Sequence, residues 1–422
     1  MKRILFLASR FPYPAKSGRE RTLLEYLSFL KGNAKVYFYF FEKKKKPETV
    51  IQEFKSKYHI EQIKFIKLPS LFSSMVNIVK DTLILRKKSL QESLFFSKKI
   101  QTFLMKEVIL NNIDIIFADM IRAAQYFEYV DIKKVTKVFD MDDIISKRYK
   151  YLMDYSDVNI LGNFNDNFPE IFSIIINSYL RKIILDIEGR LVERRELELA
   201  KKFDKVILVS PEEANLLKYT IGKKEIYYIY PTVKRMTLRL NIKKLSPSIS
   251  FMGLLNVPHN EKALITFIKK IFPEIKRLYP NIKFFIVGAN PTEKLKKLVR
   301  LNSSNIILTG YVENFSEYIL KTDLFIAPIY FGTGIKTKIL DAMSLGMPVI
   351  TTPLGVQGLS VKHLRDIIIV NDDKEFVYFV DKLLKDEELR SSIGKKAYQY
   401  VNKYHNYEKI RREFLKILLG EE

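Results

Sequence analysis

The 422-residue chain is longer than one hydrophobic core usually serves, and 47% hydrophobic against 28% charged residues is a globular balance that excludes long disorder, collagen-like repeats and small disulfide scaffolds. It contains no cysteine, so disulfides, thiolate metal sites and a cysteine nucleophile are excluded by counting, and a reducing cytoplasm is compatible. The net charge of +24 is uneven: residues 1–100 hold 22 Lys plus Arg against 8 Asp plus Glu, which points either to an anionic partner or to a soluble basic surface.

The N-terminal MKRILFLAS runs straight into RFPYP without a small-residue cleavage site, and is expected to be a first strand over residues 3–8. A loop with Pro12, Pro14 and Gly18 follows, and residues 19–31 then carry Leu23, Leu24, Leu27 and Leu30 at helical spacing. Short apolar runs at 36–41, 63–68, 113–118, 135–139, 205–209 and 226–230 read as further buried strands with helices between them. Two stretches exceed ordinary crossover length, 70–110 and 146–202, and long helices are the economical expectation for both. In the first, Leu83, Leu85, Leu90, Leu94, Phe95, Phe96, Phe103 and Leu104 accompany many lysines, giving either a basic amphipathic surface helix or, more commonly for such a stripe, burial against the sheet. The apolar runs 36–41 and 171–176 fall far short of the roughly 20 residues needed to cross a bilayer.

The pattern resets after Pro231, and NIKKLSPS at 241–248 reads as a linker. Strands follow at 249–252, 283–287, 305–308, 324–328, 348–351 and 366–370, with helices expected at 261–279 and 335–345. The tail, 374–419, reads as helices only. The expected organisation is therefore an α/β chain with an N-terminal Rossmann-like domain (1–235) bearing long helical insertions, a second Rossmann-like domain (236–400), and a terminal helix (401–422) free to pack back on the first.

The segment LFIAPIYFGTGIKTKILDAMSLGMPVITTPLGVQGL takes a buried strand into a loop with Gly332 and Gly334 and then into a helix whose first turn carries Lys336 and Lys338. Glycines let backbone amides approach a ligand, a helix N-terminus offers unpaired N–H groups, and two lysines add full charge: the ingredients of a diphosphate site. Lys338 and Asp341 stand at i, i+3, as a surface salt bridge or with Asp341 as a ribose contact.

These residues resemble the sugar-nucleotide site of glycosyltransferase family 4, the retaining GT-B enzymes, and in particular the exopolysaccharide branch with its pattern PxxxGxGIKxKxLEAMAxGxPVV. The likeness extends through FMGLLNVPHNEKAL, FFIVGANP and ILTGYVENFSEYI, and at the other end through LASRFPYPAKSGRERTLLEYL and FDKVILVSPEE. It implies a GT-B fold with two Rossmann-like domains and a nucleotide-sugar, of the UDP or GDP type, as substrate with no cofactor. It also implies that Gly253 and Lys262 approach the phosphates and that backbone at Gly310, Tyr311 and Val312 cradles the base. Gly334, Ile335 and Lys336 are expected to meet the diphosphate and sugar. The family places two carboxylates eight residues apart; here the second is Asp341 and the first is Thr333. Lys336, with Lys262 or Lys338, is then expected to stabilise the departing diphosphate.

In the first domain Gly18 and Arg19 open a helix at the sheet edge where open α/β folds bind ligands, with Arg19 and Arg21 facing phosphate or solvent. Asp119 ends a strand and is expected to reach the substrate; Asp140, Asp142 and Asp143 follow another strand as a helix cap or acceptor contact. His59, His259, His363 and His405 form no tight ligand spacing, and no metal is expected. The acceptor expected is a saccharide or lipid-linked cell-envelope molecule, met in the cytoplasm or at an anionic inner membrane surface. Two rival readings are a non-catalytic GT-B scaffold subunit, favoured by Thr333, and a basic nucleic-acid binder. The second rests on charge alone, so no nucleic acid is expected.

Overall fold

Every apolar run expected to be a strand is one. The computed structural model describes residues 1–15, 17–153, 178–233, 245 and 247–420. In chain order the strands are β1 (Lys2–Ala8), β2 (Ala34–Glu42), β3 (Ile60–Lys67), β4 (Ile115–Asp119), β5 (Thr136–Asp142), β6 (Lys205–Leu208) and β7 (Ile226–Tyr228), then β8 (Ser248–Met252), β9 (Lys283–Val287), β10 (Ile306–Gly310), β11 (Leu324–Ala327), β12 (Val349–Thr351) and β13 (Ile368–Ile369). The first seven form one sheet in the order β3-β2-β1-β4-β5-β6-β7, and the other six a second in the order β10-β9-β8-β11-β12-β13. Every pairing is parallel. Parallel strands are covered on both faces by crossover helices, which is why they read as unbroken apolar runs.

The described residues up to Ile229, together with Ile410 onward, make one compact unit, and Tyr230–Lys409 a second. In the first, Phe6 on β1 lies 5.5 Å from Phe38 on β2 and 4.4 Å from Phe117 on β4, ring centre to ring centre. The last helix, Tyr407–Leu419, brings Phe414 into this core, stacked on Tyr26 at 4.5 Å. In the second unit Phe267 meets Phe284 of β9 at 5.3 Å and Phe376 at 5.5 Å.

The long stretch 70–110 is not one helix. It is broken into Leu71–Asn77, a π-helical turn Ile78–Ile84, Leu90–Phe95 and Lys98–Leu110. The break before Leu90 is set by Ser89, whose side chain caps the Glu92 N–H while Glu92 returns a bond to the Ser89 N–H, a reciprocal pair that starts a new helix. The second long stretch contains helices Ile145–Met153 and Ser178–Lys202; residues 154–177, with the apolar run 171–176, lie outside the described residues, as do most of the expected linker and the boundary at 235/236.

Both sheets reverse their strand order at one point, between β1 and β4 in the first and between β8 and β11 in the second. At such a point the connections leave in opposite directions and open a crevice at the carboxyl ends of the strands. Arg19 and Asp119 fall at the first of these places and Gly253 with the loop 332–336 at the second, while Gly310 ends β10, with Tyr311 and Val312 after it, at the edge of the second sheet.

Candidate active site

In the second unit the chain leaves β8 at Gly253, whose N–H bonds the Val287 carbonyl at 3.0 Å. A Cβ at Gly253 would stand 2.8 Å from Asn260 Nδ2 and 3.1 Å from Lys338 Nζ, so only hydrogen lets the strand end, the helix Pro258–Thr266 and the helix Thr337–Ser344 converge. Lys338 donates to Asn260 Oδ1, and its ammonium lies 4.8 Å from the Phe251 ring centre. Asn260 is itself held by a bond from Nδ2 to the Leu254 carbonyl at 2.8 Å. Burial, and secondarily the neighbouring Lys336, pushes the Lys338 pKa down to about 7, so this ammonium sits where extra negative charge would be strongly favoured.

The glycine loop is the second component. Gly332 and Gly334 adopt φ of 118° and 71°, the left-handed side that side chains avoid, and a Cβ on Gly332 would touch the His259 ring at 3.8 Å. Lys336 is the N-cap of the following helix rather than a member of its first turn, and it is buried. Its ammonium folds back to donate to the carbonyls of Thr333 at 2.9 Å and Gly334 at 2.7 Å, tying the loop to the helix start.

The expected residues divide accordingly. Gly253, Lys338, Lys336, Thr333 and Gly334 come together at this strand switch, while Ile335 packs partly against the core. Gly310 closes β10 at φ 74° with its carbonyl accepting from the Gly288 N–H at 3.1 Å; Tyr311 beyond it is exposed, and Val312 packs partly against the core. Asp341 is buried on the helix Thr337–Ser344, and Lys338 turns across to Asn260 instead of pairing with it. Lys262 is exposed, about 200° round the helix from the buried Asn260. Asn260, which sequence reasoning passed over, is the residue of this helix that meets Lys338 and the end of β8, while Lys262 stands on the exposed face. Gly288 was also missed: a Cβ there would land on the Gly253 carbonyl oxygen. Gly288→Ala should therefore unseat the β8 loop, costing about 1–3 kcal/mol in chemical denaturation and weakening ligand binding with it.

The first unit carries a different cluster at its own switch point. Ser17 caps the helix Gly18–Leu30 in a reciprocal box with Glu20, which fixes Arg19 in the first turn. A cation at the positive end of a helix is unfavourable unless acids answer it, and three do. Arg19 reaches Asp119 Oδ1 through Nε at 3.0 Å and Nη2 at 2.5 Å, Asp140 Oδ2 at 2.6 Å and Asp142 Oδ1 at 3.1 Å. Asp119 also accepts from the Ser9 N–H at 2.8 Å and hydroxyl at 2.6 Å. Burial works to raise the Asp119 pKa, but Arg19 and Ser9 outweigh it and hold the group below the usual carboxylate range. Asp140 is pushed up to about 7 by burial, with Arg19 opposing. The expectation that Asp119 reaches substrate is thus not met in this structure: both its oxygens are engaged, and it positions Arg19. Asp140 and Asp142 do the same, and Asp143 pairs with Arg148 at 2.9 Å, so the acidic run serves arginines rather than a helix N-terminus. Arg19 in turn faces neither solvent nor an open phosphate site but its three acids.

The four histidines are dispersed: His59 ends the helix Glu48–Tyr58, His363 accepts the Ile369 N–H, and His405 is buried against the Pro231 carbonyl, while His259 borders the glycine loop. Among the described residues no group of three or more His, Asp or Glu side chains is arranged to hold a metal ion.

Two parallel switch-point sheets, the second with a glycine loop and lysines at its switch, define the GT-B architecture. Residues 246–386 match the family model described as glycosyl transferases group 1, a range that contains the whole of the second-unit cluster. A 44.6 kDa protein of the cps region of Klebsiella pneumoniae is 25% identical over 240 residues, 56% of this chain and 61% of that protein. TarM of S. aureus superposes with a TM-score of 0.68 over 99% of both chains at 12% identity. Anabaena HepE, solved with UDP, gives 0.64 over 100% of both chains at 15% identity. The chain spans about three-fifths of the length of the curated relatives it matches first.

Proposed function

We propose that this chain is a retaining glycosyltransferase that moves a sugar from a nucleoside-diphosphate donor to a saccharide or lipid-linked cell-envelope acceptor. The observation that carries this reading is the convergence of Lys338, Asn260 and Gly253 at the strand switch of the second unit. The match of residues 246–386 to group 1 glycosyl transferases, a relative from a cps region and a structural neighbour solved with UDP support it.

Glycosyl transfer lengthens the bond between the anomeric carbon and the diphosphate while positive charge grows on the sugar ring, so negative charge collects on the departing phosphate. Lys338 is the group placed to stabilise it, because an ammonium held near neutrality in a dry site gains more from an arriving anion than one already hydrated. The N–H groups at the start of the helix Thr337–Ser344 add their dipole. Lys336 acts one step back, fixing the loop that presents Thr333 and Gly334. Thr333 offers a hydroxyl to the donor sugar where the family carries an acid, and Asp341 is the ribose partner. No cofactor is required, since these lysines and dipoles supply the positive charge. On a retaining course the departing phosphate oxygen takes the acceptor proton on the face it leaves.

The test is thermal stabilisation by UDP-, GDP-, ADP- and CMP-sugars, using wild type and Lys338→Ala. One nucleotide class should stabilise the wild type, by about 2.7 kcal/mol at a hundredfold excess over Kd, and not the variant. Stabilisation by none of them would sink the donor site; stabilisation without turnover on any envelope acceptor would assign the chain to a binding scaffold.

A further inference from the structure

Two arginines stand side by side at the strand switch of the first unit. Arg10 follows β1 and Arg122 follows β4, the neighbouring strands at which the sheet reverses its order. The Ser9 N–H and hydroxyl both bond Asp119, at 2.8 and 2.6 Å, so the two chain segments are tied together one residue before Arg10 and three before Arg122. Between Asp119 and Arg122 the backbone turns through Met120 at φ 63°, in the left-handed region that side chains avoid, and Asp142 at the end of β5 does the same at φ 64°. Strain of this kind gathers at ligand sites, and the carboxyl edge of a parallel sheet at its switch point is where such sites form.

The Arg122 guanidinium is held in place. Gln91 Oε1 accepts from Nε at 3.0 Å and Nη2 at 2.6 Å, and Gln91 is itself fixed by a bond from Nε2 to the Tyr149 hydroxyl at 2.5 Å and from its N–H to Glu188 at 3.3 Å. The Phe95 ring centre lies 5.7 Å from the guanidinium carbon. An amide is a neutral acceptor, so these bonds orient the cation without neutralising it. Arg122 is 5% exposed and Arg10 half-buried. Burial, and next the charge of Arg10, pushes the Arg122 pKa down to about 9, and burial holds Arg10 below the usual arginine range against the pull of Asp119 and Glu20. Asp119 acts on both arginines, but its oxygens already serve Ser9 and Arg19. Bringing two poorly hydrated guanidinium groups together is unfavourable in itself, whereas an oxyanion set between them would receive charge-assisted bonds from both.

We infer that Arg10 and Arg122 form a subsite for an oxyanion, phosphate or carboxylate, carried by the acceptor molecule. A planar guanidinium fork suits either group because it meets two oxygens at once. The inference rests on the glycosyl-transfer reading and deepens it, narrowing the acceptor from any saccharide to an anionic one. The arginines belong to the first unit and Gly253, Asn260 and Lys338 to the second, so the two sites are separable by mutation.

Binding of glucose 6-phosphate, methyl glucuronide and neutral methyl glucoside to the full chain is measured by calorimetry. One charged probe should bind at least about tenfold more tightly than the neutral one, and its identity tells phosphate from carboxylate. Arg122→Gln and Arg10→Gln should each weaken that probe by about 10- to 100-fold, and Arg122→Lys should recover only part of the loss. Arg10→Gln, at the half-buried position, carries the same test if Arg122→Gln does not fold. Lys338→Ala should leave probe binding in place while abolishing stabilisation by the nucleotide-sugar, and Arg122→Gln should do the reverse. Equal affinity for charged and neutral probes, or charged-probe binding that survives both glutamine substitutions, would overturn the inference. So would binding that disappears in Lys338→Ala, since the anion would then have occupied the donor site. A chain that binds the charged probe through its arginines but no nucleotide-sugar would support the anion subsite and sink the donor reading.

Discussion

Lys338→Met is expected to lower kcat/KM for sugar transfer by about 100- to 1,000-fold, the loss typical when one preorganised donor to a developing anion is removed. Methionine keeps most of the volume beside Phe251 and Asn260, so the site should stay folded while its charge is deleted. The same residue gives the wild type a pH signature. In the unliganded protein the group titrates near 7, depressed by burial and by Lys336, whereas an arriving diphosphate favours the ammonium and raises its pKa. Binding must therefore take up a proton that the free protein has released, and donor affinity should fall by up to about tenfold per pH unit above neutrality. Folding stability moves the other way. Because the folded pKa lies below that of an ordinary lysine, the unfolded chain binds more protons between the two values, and the unliganded protein gains stability as pH rises from about 7 toward 10. Calorimetry of a nucleotide-sugar at two pH values reads the first slope and chemical denaturation the second. Lys338→Met should flatten both, and a wild type already flat in binding would remove Lys338 from the phosphate site.

The contrast between Lys338 and Lys336 shows where sequence is legible. Strand positions could be anticipated because buried parallel strands are unbroken apolar runs such as ILFLA and IIFA, and the first helix because Leu23, Leu24, Leu27 and Leu30 recur at helical spacing. The glycine loop was legible for the same local reason: two glycines between a strand and a helix. Which lysine faces the strand end was not, since the answer depends on Asn260, 78 residues away in sequence, and on the backbone of Gly253. Periodicity also predicted an amphipathic segment around Leu83 without saying which of its faces meets water. That choice was made by Ser74 and Asn77 bonding to backbone 16 to 20 residues further on and by Thr82 meeting the Ser93 hydroxyl. Asp119 read as a substrate contact, and Asp140 and Asp142 as a cap or acceptor contact, because they lie at strand ends on a ligand-binding edge; nothing local marks Arg19 as their shared counterion.

That counterion role makes Arg19→Met the largest stability effect expected in the first unit. Arg19 and Asp119 are almost fully buried, as is Asp140, and one guanidinium uses three nitrogens to answer three acids. Its removal leaves uncompensated carboxylates in a dry site, which typically costs about 3–5 kcal/mol. Proton counting gives the pH dependence. Asp140 already titrates near 7 with Arg19 present, and without it Asp119 and Asp142 are driven upward too, by burial and by one another. The folded variant would then hold protons that the unfolded chain gives up above about pH 4, so its stability should fall as pH rises from acid toward neutrality. Chemical denaturation should accordingly show a small deficit near pH 5 and the full one near pH 8. Arg19→Lys should recover only part of the loss, because a single ammonium cannot span carboxylates that the guanidinium reaches through Nε, Nη1 and Nη2. Adding Asp140→Asn to Arg19→Met should restore stability at high pH by removing one of the charges left behind. A deficit that is the same at both pH values would mean that Arg19 contributes packing alone, and that the three acids are held by something other than its charge.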